Sequence, residues 1–281
     1  MEKELQDRLQ AIISHHSYEL AYLDHTYIRR EDLRPLRLEL ELLKPQMLME
    51  EANIQSTVVV FGGTQIVSPE ESQQRIDTAQ GKLDADADDS QAARDLEVAQ
   101  QTMANAHFYE ECRHFSRMVS EHNKKYKDGE YVITTGGGPG IMEAANRGAY
   151  EVESPSIGLN IILPFEQVPN PYITPGLCFQ FNYFAVRKMH FLLRAKALVC
   201  FPGGFGTLDE LFTSLTLRQT ERMQEIPIIL YGSEYWKSII NFKFLADNGV
   251  INDKHLDLID FVDSPEDCWR LITEFHGIEM N

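Results

Sequence analysis

The feature that most restricts the fold is a regular alternation of segment types that is clearest from residue 131 onward. Short apolar runs alternate there with segments whose apolar residues recur at helical spacing. The runs are YVITT, SIGLNIIL, LCFQF, ALVCF, IPIILY and LDLIDFV, and a similar earlier run, TVVVF, spans 57–61. Strands that alternate with helices predict a parallel sheet with helices on both faces. We therefore predict an α/β fold with a Rossmann-like, doubly wound parallel sheet.

Two segments fall outside this alternation. Residues 1–55 are rich in leucine and read as helical, so we predict a helical N-terminal extension, with the sheet domain at 56–281. Residues 65–95 contain the acidic stretch DADADDSQ and are predicted to be a mobile insertion. A long polar helix is predicted at 91–126, which extends the insertion to about 65–126.

The charge balance limits the classes of partner. The chain has 281 residues and a formal net charge of −17, which argues against nucleic acid and acidic membranes as partners. No apolar run approaches the roughly 20 residues of a membrane span, and the charged start MEKELQDRLQ predicts no signal peptide. The four cysteines are widely spaced and are predicted to be buried, reduced thiols of a cytoplasmic protein.

Three predicted strands end in glycine. The first is followed by Gly62, Gly63 and Thr64, the second by Gly136, Gly137, Gly138 and Gly140, and the third by Gly203, Gly204 and Gly206. Glycine at the carboxyl end of a parallel strand lets the backbone approach a ligand, and the next helix offers free N–H groups to an anion. These loops therefore predict an anion site.

The loops lack the sequence motifs of dinucleotide-binding and NTPase sites, which limits the class of anion that they could bind. TGGGPGIMEAA carries Pro139 inside the turn. Dinucleotide binding requires an acidic residue at the end of a second strand about 20 residues on, and none follows there. The GxxxxGK[ST] pattern of an NTPase P-loop does not occur. A mononucleotide or a sugar phosphate is the better prediction.

Together, TGGGPGIMEA and PGGFGTLDE resemble the paired signatures of the LOG family of cytokinin-type nucleoside 5′-monophosphate phosphoribohydrolases. Members of that family are often mislabelled lysine decarboxylases. An Arg-Lys pair that precedes the second signature in the family matches Arg187-Lys188. The resemblance covers about residues 56–250, and the chain departs from compact members by carrying Phe184-Ala185 where they carry Met-His.

The resemblance implies that the protein cleaves the N-glycosidic bond of a nucleoside 5′-monophosphate, of AMP or cytokinin type. The ribose develops positive charge as the base leaves, so the site needs donors for phosphate and a carboxylate at the sugar. Glu210 is the candidate carboxylate, and Arg187 is assigned to the phosphate or to the leaving base. The candidates for binding the substrate are Gly62, Gly63, Thr64, Gly136, Gly137, Gly138, Gly140, Met142, Lys188, Gly203, Gly204, Gly206 and the Thr207 hydroxyl.

Other interpretations of these residues stay open. Thr207 and Glu210 fit a T-x-x-E capping box, and Arg187 and Lys188 could be the solvated edge of a helix. The whole chain could also be a nucleotide-binding sensor or scaffold without catalysis. Decarboxylation follows only the family's old label, since no pyridoxal-lysine environment is recognisable.

We expect no metal and no cofactor, because no histidine pairs with a nearby acid in the HExxH manner. Activity should then survive chelation by EDTA. The leucine content of residues 1–55 predicts a homo-oligomer, a dimer or higher, in which the extension is buried. The alternative is that the extension packs only on its own subunit.

Overall fold

In a computed structural model of the chain, residues 1–126, 129–164 and 168–278 are described. The chain forms two compact units, Met1–Lys44 and Pro45–Asn281. The second unit contains all seven described strands. They are β1 (Thr57–Phe61), β2 (Val132–Thr135), β3 (Ser156–Ile161), β4 (Cys178–Phe181), β5 (Ala195–Cys200), β6 (Ile228–Tyr231) and β7 (Asp260–Val262).

The strands form one sheet in the order β4-β3-β2-β1-β5-β6-β7, and every pair in it is parallel. From β1 the chain moves outward through β2 and β3 to β4, and then returns to place β5 on the other side of β1. This reversal puts the topological switch point between β1 and β5, where ligands bind in open α/β sheets. The predicted α/β, doubly wound fold is confirmed.

Twelve α-helices are described. They are α1 (Glu2–Ile13), α2 (His25–Ile28), α3 (Arg34–Glu51), α4 (Pro69–Ala85), α5 (Ser90–Ala104), α6 (His107–Tyr126), α7 (Ile141–Glu151), α8 (Phe184–Leu193), α9 (Phe205–Gln219), α10 (Ser233–Ile239), α11 (Phe242–Asp247) and α12 (Pro265–His276). Three short 3-10 helices lie at His16–Tyr18, Glu31–Leu33 and Asp253–Leu258.

Alternate side chains of the central strand point to opposite faces of the sheet, and both faces are covered. Val58 and Val60 belong to a buried cluster that includes side chains of α6, α7 and α12. Phe61, by contrast, meets Phe191 of α8 edge to face, with the ring centroids 4.8 Å apart. Burial on both faces explains why the strands read as continuous apolar runs rather than as alternating ones.

The predicted insertion differs from the structure. Residues 69–85 and 90–104 are the helices α4 and α5, which pack against each other. Asp89, in the acidic stretch, caps α5 by accepting from the amides of Gln91 and Ala92. The acidic composition was therefore wrongly interpreted as loop, because an aspartate that caps a helix has the same composition signature as one in a loop.

The predicted long helix at 91–126 is also wrong, since the chain breaks between α5 and α6. Helix α6 buries Tyr109, Cys112 and Phe115 and packs on α7, α12 and β2. It is the crossover helix between β1 and β2, so it belongs to the core rather than to an insertion.

The first unit consists of short helices joined by capped turns. Asp24 is the N-cap of α2 and accepts from the Tyr27 amide at 2.8 Å. The Arg37 guanidinium donates to the carbonyl oxygens of Ile28 and Arg30, at 2.7 and 2.6 Å. These bonds tie the turn after α2 to the start of α3.

The compact units divide at Lys44, inside α3, whereas the sequence placed the division at residue 55. The functional division into 1–55 and 56–281 stays a prediction. Cys112, Cys200 and Cys268 are buried free thiols, but the prediction of burial is wrong for Cys178, which is exposed. Cys178 lies on the edge strand β4, where alternate residues face outward.

Candidate functional site

A cleft of about 310 Å³ opens beside the switch point, at the carboxyl ends of the central strands. It falls within the size range of small-molecule sites. Ten of the predicted site residues line it, namely Gly62, Gly63, Thr64, Gly136, Met142, Arg187, Gly204, Gly206, Thr207 and Glu210. The structure thus brings together residues that lie far apart in the sequence, and their roles toward a ligand remain predictions.

The glycines after β1 and β5 let two loops touch. The Gly63 amide donates to the Pro202 carbonyl oxygen at 2.9 Å, which links the two loops directly. A Cβ at Gly62 would lie 2.5 Å from the Ile141 side chain, so a larger residue would push α7 away from the cleft. At Gly204 and Gly206 a Cβ would meet no protein atom within 4 Å. The space beside these two glycines is open, as a ligand requires.

Helix α9 begins at Phe205, and its N-cap is Gly204, which offers no side-chain oxygen. The first helical bond runs from the Leu208 amide to the Gly204 carbonyl. The amides of Phe205, Gly206 and Thr207 precede it and belong to the helix end, where an anion is favoured.

This start excludes the capping-box interpretation. Thr207 is the third residue of α9 rather than its cap, and Glu210 lies one turn further inside. The T-x-x-E pattern was present, but the glycines allowed the helix to begin earlier than the pattern indicated.

Glu210 is only 8% exposed, and it lines the cleft. Burial raises the pKa of the Glu210 carboxyl, while Lys188 and Arg187 oppose the rise. The carboxylate Oε2 lies 3.4 Å from the Lys188 ammonium. A buried carboxylate that keeps a cationic neighbour can hold its charge and act on a developing positive charge.

Lys188 is not among the residues that line the cleft. Its ammonium lies 2.6 Å from the Asp209 carboxylate and 3.0 Å from the Thr213 hydroxyl. The structure therefore places Lys188 against the α9 carboxylates, and a contact between Lys188 and the substrate stays a prediction. Adjacent residues of a helix point about 100° apart, so Arg187 and Lys188 reach different surroundings.

Arg187 enters the cleft from α8, which follows the edge strand β4. Its Nε donates to the Leu159 carbonyl oxygen at 2.7 Å, and its guanidinium lies 5.1 Å from the Phe191 ring centroid. Burial lowers the pKa of the Arg187 guanidinium, while Glu210 acts in the opposite direction. A Cβ at Gly136 would lie 2.6 Å from Arg187 Nη2, so this glycine is the space that the guanidinium needs.

Gly137, Gly138, Gly140 and Gly203 belong to the loops but do not line the cleft. The Gly203 carbonyl accepts from the Tyr235 hydroxyl at 2.8 Å, which anchors that loop from behind. Gly137 and Gly140 have φ values of +74° and +70°, a region that favours glycine. These four glycines shape the loops in this structure, and direct contact with a ligand remains a prediction.

Sequence reasoning missed an asparagine pair behind the second loop. The Asn170 backbone N–H donates to the Gly137 carbonyl oxygen at 2.9 Å, and its side-chain Nδ2 donates to the Gly138 carbonyl oxygen at 3.0 Å. The Asn146 side chain accepts from Asn170 at 2.9 Å and from the Thr135 hydroxyl at 2.8 Å. No sequence signal identified the two residues, because asparagines distant in the chain carry no pattern of their own.

Aromatic residues at the cleft were also missed. Phe61, Phe184 and Phe205 line it, and Phe205 is 92% exposed. The position of Phe205 between two glycines of a strand-end loop, in PGGFG, was the available signal. A flat apolar surface of this kind suits a planar ring.

In the part of the chain that the structure describes, no group of three or more His, Cys, Asp or Glu side chains could hold a metal ion. None of the helices in residues 1–126, 129–164 and 168–278 combines the length and apolar character that crossing a bilayer needs.

Comparison with known proteins gives a family match. Residues 142–272 match the family described as "Possible lysine decarboxylase". The matched segment includes Arg187 and the glycine loop that leads into α9. No curated protein matches the chain significantly.

Two solved structures show a distant likeness. One is the molybdenum cofactor binding protein from the phototrophic bacterium Rippkaea orientalis, with 20% identity, a TM-score of 0.43, and coverage of 60% of this chain and 88% of that one. The other is an X-ray structure of TM1055, with 16% identity, a TM-score of 0.44, and coverage of 78% of this chain and 99% of that one. At scores this low, neither likeness bears on the ligand of this chain.

The family match includes the second of the two glycine motifs and the Arg-Lys pair, and the first motif continues directly into it. Those same motifs carry the resemblance to the LOG family. Residues 142–272 therefore match this family model over slightly less than half of the chain, and the motifs in and directly before that segment are the ones that resemble the LOG family.

Proposed function

We propose that this protein hydrolyses the N-glycosidic bond of a nucleoside 5′-monophosphate and releases the free base and ribose 5-phosphate. The observation that carries the proposal is the position of Glu210, a buried carboxylate in the same cleft as the open N-terminus of α9. A site that only bound phosphate would gain nothing from that charge, because it repels the ligand.

The two ends of the cleft would act on different parts of the substrate. The amides at the start of α9, with the Thr207 hydroxyl, would hold the phosphate dianion. Glu210, about one turn further along α9, would then face the ribose. Binding energy at the phosphate, away from the reacting bond, would position the sugar.

The reaction breaks the bond between the base nitrogen and C1′ of the ribose. The electron pair leaves with the base, and C1′ takes on positive charge in the transition state. The Glu210 carboxylate would stabilise that charge, and a water oxygen would add to C1′. One proton of the water is released to the base, so the atoms balance. Arg187 would hold the phosphate or donate a hydrogen bond to the leaving base.

Decarboxylation, which the description of the matched family names, has less support. Amino-acid decarboxylation through a Schiff base needs a lysine amine in the site. Lys188 lies outside the cleft lining, and its ammonium is held by Asp209, Glu210 and Thr213. A nucleotide-binding sensor is the remaining alternative, and it predicts binding without turnover.

Incubation of the full chain with a panel of nucleoside 5′-monophosphates should yield free base and ribose 5-phosphate. Chromatography detects both products. We expect the matching nucleosides to be cleaved at least about 1000-fold less efficiently, since loss of a bound phosphate removes several kcal/mol of binding energy. A parallel reaction with EDTA should proceed at the same rate. Equal turnover of AMP and adenosine would contradict the proposal, and nucleotide binding without product would favour the sensor.

The acid limb of the pH–rate profile should depend on the charges around Glu210. Its pKa is raised above the ordinary value of 4.5, so turnover should fall toward low pH from a point above that value. Lys188 lowers this pKa and Asp209 raises it. Lys188→Met should therefore move the acid limb to higher pH, and Asp209→Asn should move it to lower pH. If the acid limbs of the two variants shift in the same direction, or do not shift, the acid limb does not report the ionisation of Glu210.

A further inference from the structure

The exposed face of α3 carries a row of apolar residues at heptad spacing. Leu36, Leu40 and Leu43 are separated by four and then three positions, and they are 43%, 50% and 42% exposed. Met47, four positions further on, is 55% exposed. The opposite side of the helix contains the buried Pro45 and Met49. We call Leu36, Leu40 and Leu43, with Met47, the α3 seam.

Apolar residues that alternate at spacings of three and four are the a and d positions of a coiled coil. With Leu40 at position a and Leu43 at d, Glu39 occupies position g and Lys44 occupies position e. Both are exposed, and neither forms an ion pair among the described residues. The seam therefore carries unused charges of opposite sign on its two flanks.

The positions of these charges select the partner and its direction. In a parallel pair, a residue at g faces the residue at e five positions later in the other helix. Glu39 would then face Lys44 of the partner subunit, and the same pair would form twice by symmetry. An antiparallel pair sets g against g and e against e, which removes this match. The seam is thus complementary to itself in the parallel orientation.

The overall charge of the first unit also favours a second copy. Residues 1–44 contain seven basic and nine acidic side chains, a net charge of −2, against −17 for the whole chain. With a net charge of −2 on each, two copies of residues 1–44 repel each other only weakly. A strongly basic partner would find little to bind there.

Further apolar surface is available in the same unit. Leu5, Leu9 and Ile12 of α1 follow the spacing i, i+4, i+7 and are 62%, 56% and 50% exposed. The seam alone is roughly 16 Å long. A helix face of this length is too short to bury the about 800 Å² per partner of a standard interface. Burial of the α1 stripe would add to this area.

We infer that the α3 seam pairs in parallel with the α3 seam of a second copy of this chain, and that this contact makes the protein a dimer or an even-numbered oligomer. The inference is independent of the reaction proposed for the cleft, because no seam residue lines the cleft.

The test is sedimentation equilibrium on the full chain at micromolar concentrations, with charge-reversed variants. Glu39→Lys or Lys44→Glu alone places like charges opposite each other twice and should weaken association roughly tenfold. An equimolar mixture of the two variants should restore wild-type association, because each contact then joins opposite charges. Leu40→Asp should abolish the contact, and circular dichroism should show unchanged helix content for all variants, so that loss of association is not loss of folding.

A monomeric wild-type chain would overturn the inference. An oligomer that persists in Leu40→Asp would place the interface elsewhere and also overturn it. If the mixture fails to restore association that both single variants have lost, the parallel orientation is wrong.

Discussion

Glu210→Gln is expected to lower kcat by roughly 100-fold or more, the usual effect of removing one group that stabilises charge in a transition state. Glutamine keeps the size of the side chain, so the cleft should keep its shape. Nucleotide affinity should be unchanged or slightly higher, because a negative charge near the phosphate has been removed. Single-turnover kinetics and equilibrium binding measure the two effects separately.

The same variant should keep its stability at neutral pH, and the sign follows from the pKa. In the folded protein the pKa of Glu210 lies above its ordinary value of 4.5. Ionisation of this group therefore costs stability as the pH rises from the unfolded pKa through the folded one, and the full cost is present above the folded pKa. A neutral glutamine amide at this position carries no such cost, so the melting temperature should be equal or higher.

Asp209→Asn is the matched control, since it makes the same chemical change at the neighbouring position. Asp209 also lines the cleft, but its carboxylate pairs with Lys188 at 2.6 Å and its side chain is 58% exposed. We expect near-normal kcat for this variant at a pH above the acid limb. A folded Glu210→Gln protein with full activity would rule out the mechanism and leave the sensor as the better hypothesis.

Arg187→Ala should weaken nucleotide binding as well as turnover, because its positive charge acts on both the bound substrate and the transition state. Removal of a hydrogen bond from a charged donor costs about 1.5–3 kcal/mol, so we expect affinity to fall by roughly 10- to 100-fold. The decrease in kcat/KM should be larger than the decrease in affinity if Arg187 also assists the leaving base. Calorimetry and steady-state kinetics on the same protein give both numbers.

Arg218→Ala is the control for loss of a shielded guanidinium outside the cleft. Arg218 lies near the C-terminal end of α9, and its side chain is 12% exposed. Its guanidinium lies 3.5 Å from the Glu225 carboxylate. Its removal should affect stability more than nucleotide affinity.

Gly136→Ala offers a second test, because the added methyl group would displace the Arg187 guanidinium without removing its charge. Unchanged affinity in both Arg187→Ala and Gly136→Ala would exclude Arg187 from the site.

Much of the cleft was predictable because its signals are local. A glycine that follows an apolar run and precedes a helix reports a loop at the carboxyl end of a strand, whatever the rest of the chain does. Gly62, Gly136 and Gly204 were placed in this way. The same local reasoning failed at 65–126, where acidic composition hid the capped helices α4 and α5 and the core helix α6.

The sequence by itself determined the fold class, the order of the strands after residue 131, and the glycine loops, because these depend on periodicity and on backbone freedom within a few residues. Only the tertiary structure decided how the charged neighbours are placed around the cleft. Glu210 and Asp209 both line it, but Glu210 is buried while Asp209 is exposed, and Arg187 lines it while Lys188 binds the α9 carboxylates. Those differences depend on where α9 begins and on how α8 and α9 rotate against the sheet. Such rotations are set by packing between residues distant in the chain, which leaves no trace in a local pattern.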